Sequence, residues 1–441
     1  MENTPETNAE VKSDFGEIID LVGSTNITVY ERLNASNDSA AKAEFVANPE
    51  MEHPKNEYGN LDEEEVRRNL ATLEQVEEKL EDSDLSEKRR RLVRLLADDC
   101  KTKNEFLAAN IAYNAAETPE EKAQAAEWHR QTNEELYGKP DEDTFYTLLR
   151  EKIDSIDVAN LSEEDRKIYD WLMAEIGPLP EKTGGRFKPK PETVQRFGEM
   201  VREFFGAFLK HIPEDRKSFT SEEVVDIINE IADTEFGGLN IKYRAVIDPK
   251  AANASTNHEE RTLKFPAGVE YSRKRAQGLI VHEFGTHMLR AVPYLGQEIQ
   301  AFASELPGNE TFDEGIAKCT EQAIDGKYAD SGIDHYINIG LATFKGKNFR
   351  EIYQIQMALK HLTGESDKTV LNAVQRCFRG TGELVNNKDL AYYNGANQVW
   401  QYIEEHIDDP ELFDSLFLTG KANMANPAQE ALSYEMRTSG I

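Results

Sequence analysis

The 441-residue chain is poor in cysteine, since it contains only Cys100, Cys319 and Cys377. These residues are widely spaced and odd in number, so the sequence predicts neither a disulfide framework nor a zinc site built from cysteine thiolates. A chain without disulfides suits a reducing compartment. We therefore expect a cytoplasmic protein.

Long apolar runs are also absent. No stretch approaches the roughly 18–20 apolar residues that a membrane-spanning helix requires. The chain starts with MENTPETNAEVKSDFGEIID, which is acidic and polar and has neither the basic nor the apolar region of a secretory signal. We expect no membrane association.

Basic residues are in the minority. The sequence has 51 Lys and Arg against 82 Asp and Glu, which gives a formal net charge of −31. Nucleic acids and anionic membrane surfaces repel such a chain, so neither is expected as a main partner. The hydrophobic content of 39% with 30% charged residues is typical of a helix-rich globular protein.

Residue patterns divide the chain into three regions. Residues 1–59 are predicted to be an acidic, partly disordered segment with short helices at FGEIIDLV and SAAKAEFV. Residues 60–180 show apolar residues at three- and four-residue spacing and are predicted to form a helical N-terminal region. A Gly-, Pro- and Lys-rich stretch at 177–192, predicted to be a linker or exposed loop, precedes the third region at 190–441.

The third region combines helices with a little strand. Two short strands are predicted at 240–248 and 261–268, directly before a helix at about 272–292. An edge strand in this place can hold an extended peptide by main-chain pairing. The predicted fold class is therefore mainly α with a small β-sheet, that is, α+β.

The segment GLIVHEFGTHMLRAV carries the most informative motif. It is similar to the zinc-protease signature H-E-x-x-H, but His282 and His287 lie five positions apart instead of four. An α-helix turns about 100° per residue, so residues five apart point about 140° away from each other. A π-bulge with an i→i+5 hydrogen bond would widen one turn and bring both imidazoles towards one face. Gly285 lies where that distortion would be centred, and glycine tolerates it best.

A catalytic zinc needs a third protein ligand and an open position for water. Downstream of the motif, NETFDEGIAKCTEQ offers Glu310, Asp313, Glu314 and Glu321, and the residues alone leave the choice open. Asp313 suits the N-cap of a helix that Glu314 would begin. Glu283 is placed to act as general base and then to pass the proton to the leaving amine.

Two motifs together resemble those of a metallopeptidase family. HEFGTHMLRA followed by DEGIA is similar to that family's H-E-x-x-x-H and E-G-L-A motifs, although Ile316 stands where leucine is usual. The animal members are microtubule-associated tyrosine carboxypeptidases, and the bacterial members are QEGLA-motif proteins. The resemblance covers about residues 130–441 and includes ELYGKP, RTLKFPAGVEYS, QRCFRG, KDLAYYNG and LTGKAN.

The resemblance implies a gluzincin-like zinc metallopeptidase whose catalytic domain occupies residues 190–441. It implies one zinc ion on His282, His287 and Glu314, with Glu283 as the catalytic base. The implied reaction is zinc-dependent removal of residues from a peptide or protein C-terminal tail. The acidic balance of the chain does not favour tubulin tails, because these are themselves acidic.

A carboxypeptidase also needs a cation for the terminal carboxylate of its substrate, ideally the bidentate fork of an arginine. Tyr392 or Tyr393 can donate a hydrogen bond to the oxyanion that forms during hydrolysis, and core packing is the alternative. Each candidate cation has a structural or surface role as its alternative. The candidate cations are Arg290, Arg376, Arg379 and Lys388.

Two other functions remain open from the sequence. One is an N-terminal exopeptidase similar to dipeptidyl peptidase III, which also uses H-E-x-x-x-H. The other is a non-catalytic regulatory protein on a peptidase scaffold, in which a metal serves only structure. The presence of Glu283 beside the first histidine argues against the second, because a structural site needs no base.

Overall fold

The computed structural model describes residues 14–180, 184–236, 243–249, 251, 254–257, 260–291 and 306–438, with side chains up to 434. Parts of three predicted elements lie outside the described residues. They are residues 181–183 of the linker, residues 240–242 of the first strand and Val292 at the end of the motif helix.

Within these ranges the chain is mainly helical with small sheets, as the sequence predicts. Besides the α-helices, the described residues include 3₁₀ turns at Val158–Asn160 and Asn387–Asp389 and a π-helix at Ile280–Met288. The α-helices are α1 Asp14–Thr25, α2 Val29–Arg32, α3 Asp38–Ala47, α4 Glu63–Asp82, α5 Glu87–Ala115, α6 Pro119–Tyr137, α7 Glu142–Asp154, α8 Glu163–Ile176, α9 Pro191–Phe204, α10 Gly206–Leu209, α11 Ser221–Phe236, α12 Arg273–Leu279, α13 Leu289–Ala291, α14 Asn309–Asp325, α15 Ile333–Lys345, α16 Phe349–Thr363, α17 Val370–Cys377, α18 Leu390–His406, α19 Leu412–Phe417 and α20 Pro427–Thr438.

Five short strands form two sheets in the described part of the chain. Strands β1 and β5 pair antiparallel, whereas β4 lies between a parallel β2 and an antiparallel β3. Strand β3 is therefore an edge strand. The strands are β1 Ser218–Thr220, β2 Arg244–Ile247, β3 Ser255–Asn257, β4 Thr262–Phe265 and β5 Glu270–Ser272.

The first compact unit of the chain runs to Ser36 and resumes from Glu57 to Leu136. Helix α1 confirms the predicted helix at FGEIIDLV. Asp62 caps the start of α4, because its side chain accepts hydrogen bonds from two backbone N–H groups of the first turn. Its apolar residues recur at helical spacing and form one buried face against α1 and α5.

The second unit contains residues 37–56 and 137–441. Helix α3 confirms the predicted helix at SAAKAEFV. Its Phe45 ring lies 3.5 Å below the guanidinium of Arg350, which also donates to the backbone carbonyls of Phe45, Asn48 and Met51. Part of the predicted acidic segment is thus packed into the core of this unit.

Two helices of the second unit cross at very close range. A Cβ atom added at Gly315 of α14 would lie 2.2 Å from the carbonyl oxygen of Gly395 in α18. A Cβ at Gly395 would lie 2.0 Å from the carbonyl oxygen of Thr311. Only glycine allows this approach, which fixes α14 against α18.

The β5 strand leads directly into the motif helix. Ser272 ends the strand and caps α12, because its side chain accepts a hydrogen bond from the backbone N–H of Arg275 at 3.2 Å. None of the helices in the described ranges combines the length and apolar character needed to cross a membrane.

The close crossing generates a test of the fold. Gly315→Ala should lower the free energy of unfolding by roughly 1–3 kcal/mol, because α14 and α18 must move apart. Gly23→Ala is the matched control, since Gly23 lies within α1 and no heavy atom is within 4 Å of its Cβ position. The control should be neutral or stabilising by up to about 1 kcal/mol. Thermal and urea unfolding measure both changes, and a Gly315→Ala protein as stable as the wild type would contradict the crossing.

Candidate active site

The motif helix changes its winding at the motif itself. Helix α12 is regular, residues Ile280–Met288 form a π-helix, and α13 returns to α geometry. The predicted widened turn is confirmed, and it is longer than a single bulge. Thr286, at the usual position of the second ligand, donates its hydroxyl proton to the Val281 carbonyl at 2.9 Å, five residues earlier. Its side chain thereby supports the wide turn.

Gly285 is required by packing as well as by the backbone. A Cβ atom at this position would lie 2.7 Å from Cε1 of Phe205. The Phe205 ring is fully buried and occupies the space that a larger residue at position 285 would need. All nine residues of the π-helix are buried, as expected from the apolar GLIV segment.

His282, His287 and Glu314 come together as a possible metal-binding group. One ligand atom from each lies within 4.8 Å of the others, and no other such group occurs in the described ranges. Nε2 of His282 is 3.9 Å from Oε2 of Glu314. Ligands of a tetrahedral zinc ion, each about 2.0–2.1 Å from the metal, lie roughly 3.4 Å apart. The donor set therefore fits zinc with small adjustments.

Each imidazole uses its other nitrogen to contact a carboxylate of α14. Nδ1 of His287 is 2.5 Å from Oδ2 of Asp313, and Nδ1 of His282 is 3.4 Å from Oε2 of Glu321. Such contacts fix the orientation and tautomer of metal-binding histidines and leave Nε2 to the metal. Asp313 and Glu321 are candidates for the third ligand in the sequence. In the structure both instead contact the Nδ1 atoms of the histidines, on the side away from Nε2.

Asp313 is itself held by two buried cations. Arg290 and Lys421 both form ion pairs with its carboxylate. Burial would raise the pKa of Asp313, but the charges of Lys421, His287 and Arg290 hold it well below its usual value. Burial likewise would lower the pKa of His287, and the charge of Asp313 raises it instead. Asp313 thus remains an anion beside the histidine.

The structure corrects two predictions in this region. Arg290 was a candidate for binding substrate, but it is 0% exposed, and its guanidinium donates to Asp313 and to the Ala422 carbonyl. Full burial removes it from contact with a substrate. Asp313 was predicted to cap a helix, but α14 begins at Asn309 after Gly308. Asp313 therefore lies within the helix and contacts His287.

Glu283 is buried and held by a neighbouring strand. It is 6% exposed, and the Thr256 hydroxyl of β3 donates to its Oε2 at 3.0 Å. Its Oε1 lies 3.9 Å from Nε2 of His282. The carboxylate is therefore fixed beside the nitrogen that would bind the metal.

Lys388 lies near the third ligand but already has a partner. Its ammonium forms an ion pair with Glu310, one helical turn before Glu314. Burial would raise the pKa of Glu314, whereas the charges of His287, His282 and Lys388 lower it overall. Lys388 thus helps to keep Glu314 ionised. The positive charge of Lys388 is itself paired with Glu310.

Tyr392, rather than Tyr393, faces the site. Burial and the charge of Glu314 raise its pKa, so the phenol keeps its proton. Arg376 donates to the Tyr392 oxygen at 2.9 Å and to both oxygens of Asp389 at 2.6 Å. Arg376 therefore has a structural role. Tyr393 packs against Tyr336 with ring centroids 5.1 Å apart.

Arg379 differs from the other candidate cations. Its side chain is partly buried, and its guanidinium has no ion pair or hydrogen bond with any residue in the described part of the chain. Burial lowers its pKa, and the charge of Asp389 acts against this effect. The charge of Arg376 lowers the pKa further, so Arg379 lies in the same cluster as Asp389 and Arg376.

The roles of several supporting residues were not predicted from the sequence. Glu321 lies seven residues after Glu314, so both share one face of α14, and this spacing could have indicated its role. Thr256 and Lys421 are distant in sequence from the motif, and no local pattern connects them with it.

A known protein family matches the part of the chain that contains the candidate site. The family model described as microtubule-associated tyrosine carboxypeptidase matches residues 183–436, which is more than half of the chain. No curated protein and no solved structure matches the chain. The matched residues include the π-helix, α14 and α18.

The buried charges around Asp313 generate a stability test. Asp313→Asn should lower the free energy of unfolding by about 3–5 kcal/mol, because it leaves Arg290 and Lys421 buried without their anion. Asp325→Asn is the control on the same helix, since Asp325 pairs with Lys274 at an exposed site. Its effect should stay within about 1 kcal/mol. Urea denaturation in the presence of a chelator measures both, and equal effects would contradict the assigned role of Asp313.

Proposed function

We propose, since the chain belongs to the microtubule-associated tyrosine carboxypeptidase family, that it is a zinc-dependent carboxypeptidase that removes residues from peptide or protein C-termini. One observation carries the proposal. His282, His287 and Glu314 converge to within 4.8 Å beside the buried carboxylate of Glu283. Two imidazoles, one carboxylate and an adjacent base are the parts of a hydrolytic zinc site.

His282, His287 and Glu314 are the residues that would hold the zinc ion. When bound, zinc acts as a Lewis acid that lowers the pKa of a water molecule and polarises the scissile carbonyl. Asp313 and Glu321 keep the two imidazoles oriented for this purpose. Zinc binding and its role in hydrolysis are part of the proposal.

Glu283 is the proposed proton carrier. Its carboxylate would take a proton from the attacking water and deliver it to the leaving amine. The hydrogen bond from Thr256 occupies one side of Oε2 and so fixes the direction of the carboxylate. Burial keeps bulk water from competing for the proton.

Tyr392 is the proposed donor to the oxyanion. Its oxygen accepts a hydrogen bond from Arg376, and no residue in the described ranges accepts its own proton. That proton remains available for the negative charge that develops on the carbonyl oxygen. A preformed donor of this kind stabilises the transition state more than the substrate.

Arg379 is the proposed anchor for the terminal carboxylate of the substrate. Its partly buried guanidinium has no ion pair with the described residues, and a bound carboxylate would supply two charge-assisted hydrogen bonds. The edge strand β3 can pair with the extended backbone of the substrate next to Glu283. Together they select for a free C-terminus and fix its direction.

Substitution of the base separates metal binding from catalysis. Glu283→Gln should retain the zinc content of the wild type and lose hydrolysis by about 10²–10⁴-fold, because the proton carrier is absent. His287→Ala should lose most of the zinc. Atomic emission spectroscopy and a peptide assay measure these quantities, and an active Glu283→Gln protein would contradict the mechanism.

Peptides blocked at either end test the direction of attack. The wild type should cleave an N-acetylated peptide and fail on the same peptide with a C-terminal amide, because Arg379 needs a carboxylate. Arg379→Ala should raise KM for the free peptide by about 10–150-fold, which corresponds to hydrogen bonds of about 1.5–3 kcal/mol to a charged group.

The control for Arg379 is Arg196→Ala, which removes an exposed arginine paired with Asp408 and should leave KM unchanged. Mass spectrometry of the products gives the cleaved residues. Cleavage of amidated peptides with loss on N-acetylation would instead indicate an N-terminal exopeptidase.

A further inference from the structure

Asp389 is a buried carboxylate that stands at the start of α18 without capping it. It is 3% exposed and occupies the N-cap position, yet its side chain accepts no hydrogen bond from the first turn of the helix. Aspartate is among the residues that cap helices best, and such a cap usually contributes about 1 kcal/mol. The side chain of Asp389 is therefore committed to other partners.

Those partners are two side chains from neighbouring helices. Nε and Nη2 of Arg376, in α17, each donate to one carboxylate oxygen at 2.6 Å, and Nδ1 of His335, in α15, lies 3.1 Å from Oδ2. Two parallel hydrogen bonds from one guanidinium fix its plane as well as its position. Asp389 thus holds Arg376 in one orientation.

Arg376 in turn contacts the phenol of Tyr392. Its Nη2 donates to the phenol oxygen at 2.9 Å. A phenol hydroxyl can accept as well as donate, and one that accepts from a cation must point its own proton in another direction. Gly332, before α15, packs directly against the tyrosine, because a Cβ atom there would lie 2.7 Å from Cβ of Tyr392. The position of the ring and the direction of its proton are both set in this way.

The phenol lies close to the helix that carries the proposed third metal ligand. Helices α14 and α18 cross where Gly315 meets Gly395. Glu314 directly precedes the first glycine, and Tyr392 lies about one turn before the second. Burial and the negative charge of Glu314 both raise the pKa of Tyr392, which agrees with this proximity.

A second set of the same residue types is arranged differently. Tyr328 donates its hydroxyl proton to Oδ1 of Asp330 at 2.7 Å, and Arg186 forms an ion pair with the same carboxylate. The proton of Tyr328 is thus used within the protein. At Tyr392 the arginine lies between the carboxylate and the phenol, so the phenol keeps its proton for a ligand.

We infer that Asp389 is a positioning residue that, through Arg376, directs the proton of Tyr392 towards the oxyanion of the substrate. The inference rests on the proposed function, in which Tyr392 donates to that oxyanion, and adds the residues that prepare the donor. Asp389 and Arg376 act only through Tyr392 and only in the transition state. Substitution of either should therefore lower kcat and leave KM unchanged.

A double-mutant cycle with Tyr392→Phe tests this coupling. Asp389→Asn removes the charge that holds Arg376, whereas Arg376→Lys keeps a positive charge but loses the forked geometry. Each should lower kcat by about tenfold, as expected for the loss of one hydrogen bond. In the Tyr392→Phe background the same substitutions should change kcat by less than about twofold, because the group through which they act is absent. Steady-state kinetics with a peptide that has a free C-terminus measures the cycle.

The matched control is Asp330→Asn, which removes the carboxylate charge from the second set. Arg186 keeps Glu151 as its partner, at 2.7 Å, so the control is expected to fold. Its kcat should stay within about twofold of the wild type, because independent sites do not couple.

Arg376→Lys keeps the inference open to refutation if Asp389→Asn fails to fold, since lysine retains the ion pair with Asp389. Circular dichroism checks the fold of each variant. Losses of kcat that are as large in the Tyr392→Phe background as in the wild type would overturn the inference. A loss confined to KM would overturn it as well.

Binding of a phosphinic peptide separates this inference from the proposed function. Its tetrahedral phosphinate imitates the oxyanion, so the zinc-loaded wild type should bind it about tenfold more tightly than Arg376→Lys, and this difference should vanish in the Tyr392→Phe background. If calorimetry shows this coupling but no peptide is hydrolysed, the inference stands and the carboxypeptidase function fails. If peptides are hydrolysed without the coupling, the function stands and the inference fails. A protein that shows neither overturns both.

Discussion

The widened winding between Ile280 and Met288 is the constraint on which the site depends. In a regular α-helix, two histidines five residues apart would point about 140° away from each other. The π-helix brings their rings to a centroid distance of 5.1 Å. Only then can Glu314 of a separate helix complete the group. Phe205 behind Gly285 and the Thr286 hydroxyl on Val281 hold this winding in place.

Carboxylates surround the two histidines of this π-helix, and cations in turn surround the carboxylates. Each histidine contacts a carboxylate, and each of those carboxylates contacts cations: Asp313 meets Arg290 and Lys421, whereas Glu321 meets Arg275 and Lys318. Buried charges are tolerated only when they are paired in this way. The pairing also explains why a chain with a net charge of −31 can gather several acidic groups in one buried place. Arg379 differs because its guanidinium forms no ion pair with any residue in the described ranges.

The sequence predicted the parts of the site that are encoded locally. The spacing of His282 and His287 indicated a widened turn. The spacing of apolar residues predicted the helical character of residues 60–180, which α4 to α8 confirm. The resemblance, and not the residues alone, selected Glu314. The prediction that Arg290 binds substrate was wrong, because its position three residues after His287 does not reveal whether it is buried. Its burial depends on contacts with Phe312, Asp313 and the distant Ala422. Long-range partners such as Thr256 and Lys421 could not be predicted, since only the fold brings them to the motif.

X-ray absorption at the zinc edge tests the central claim most directly, because it counts the imidazoles bound to the metal in solution. We expect only nitrogen and oxygen ligands at about 2.0–2.1 Å, with scattering from two imidazoles. Two imidazoles can share the ion only if the helix is wide at the motif. A spectrum with one imidazole or none, or with sulfur at about 2.3 Å, would contradict it.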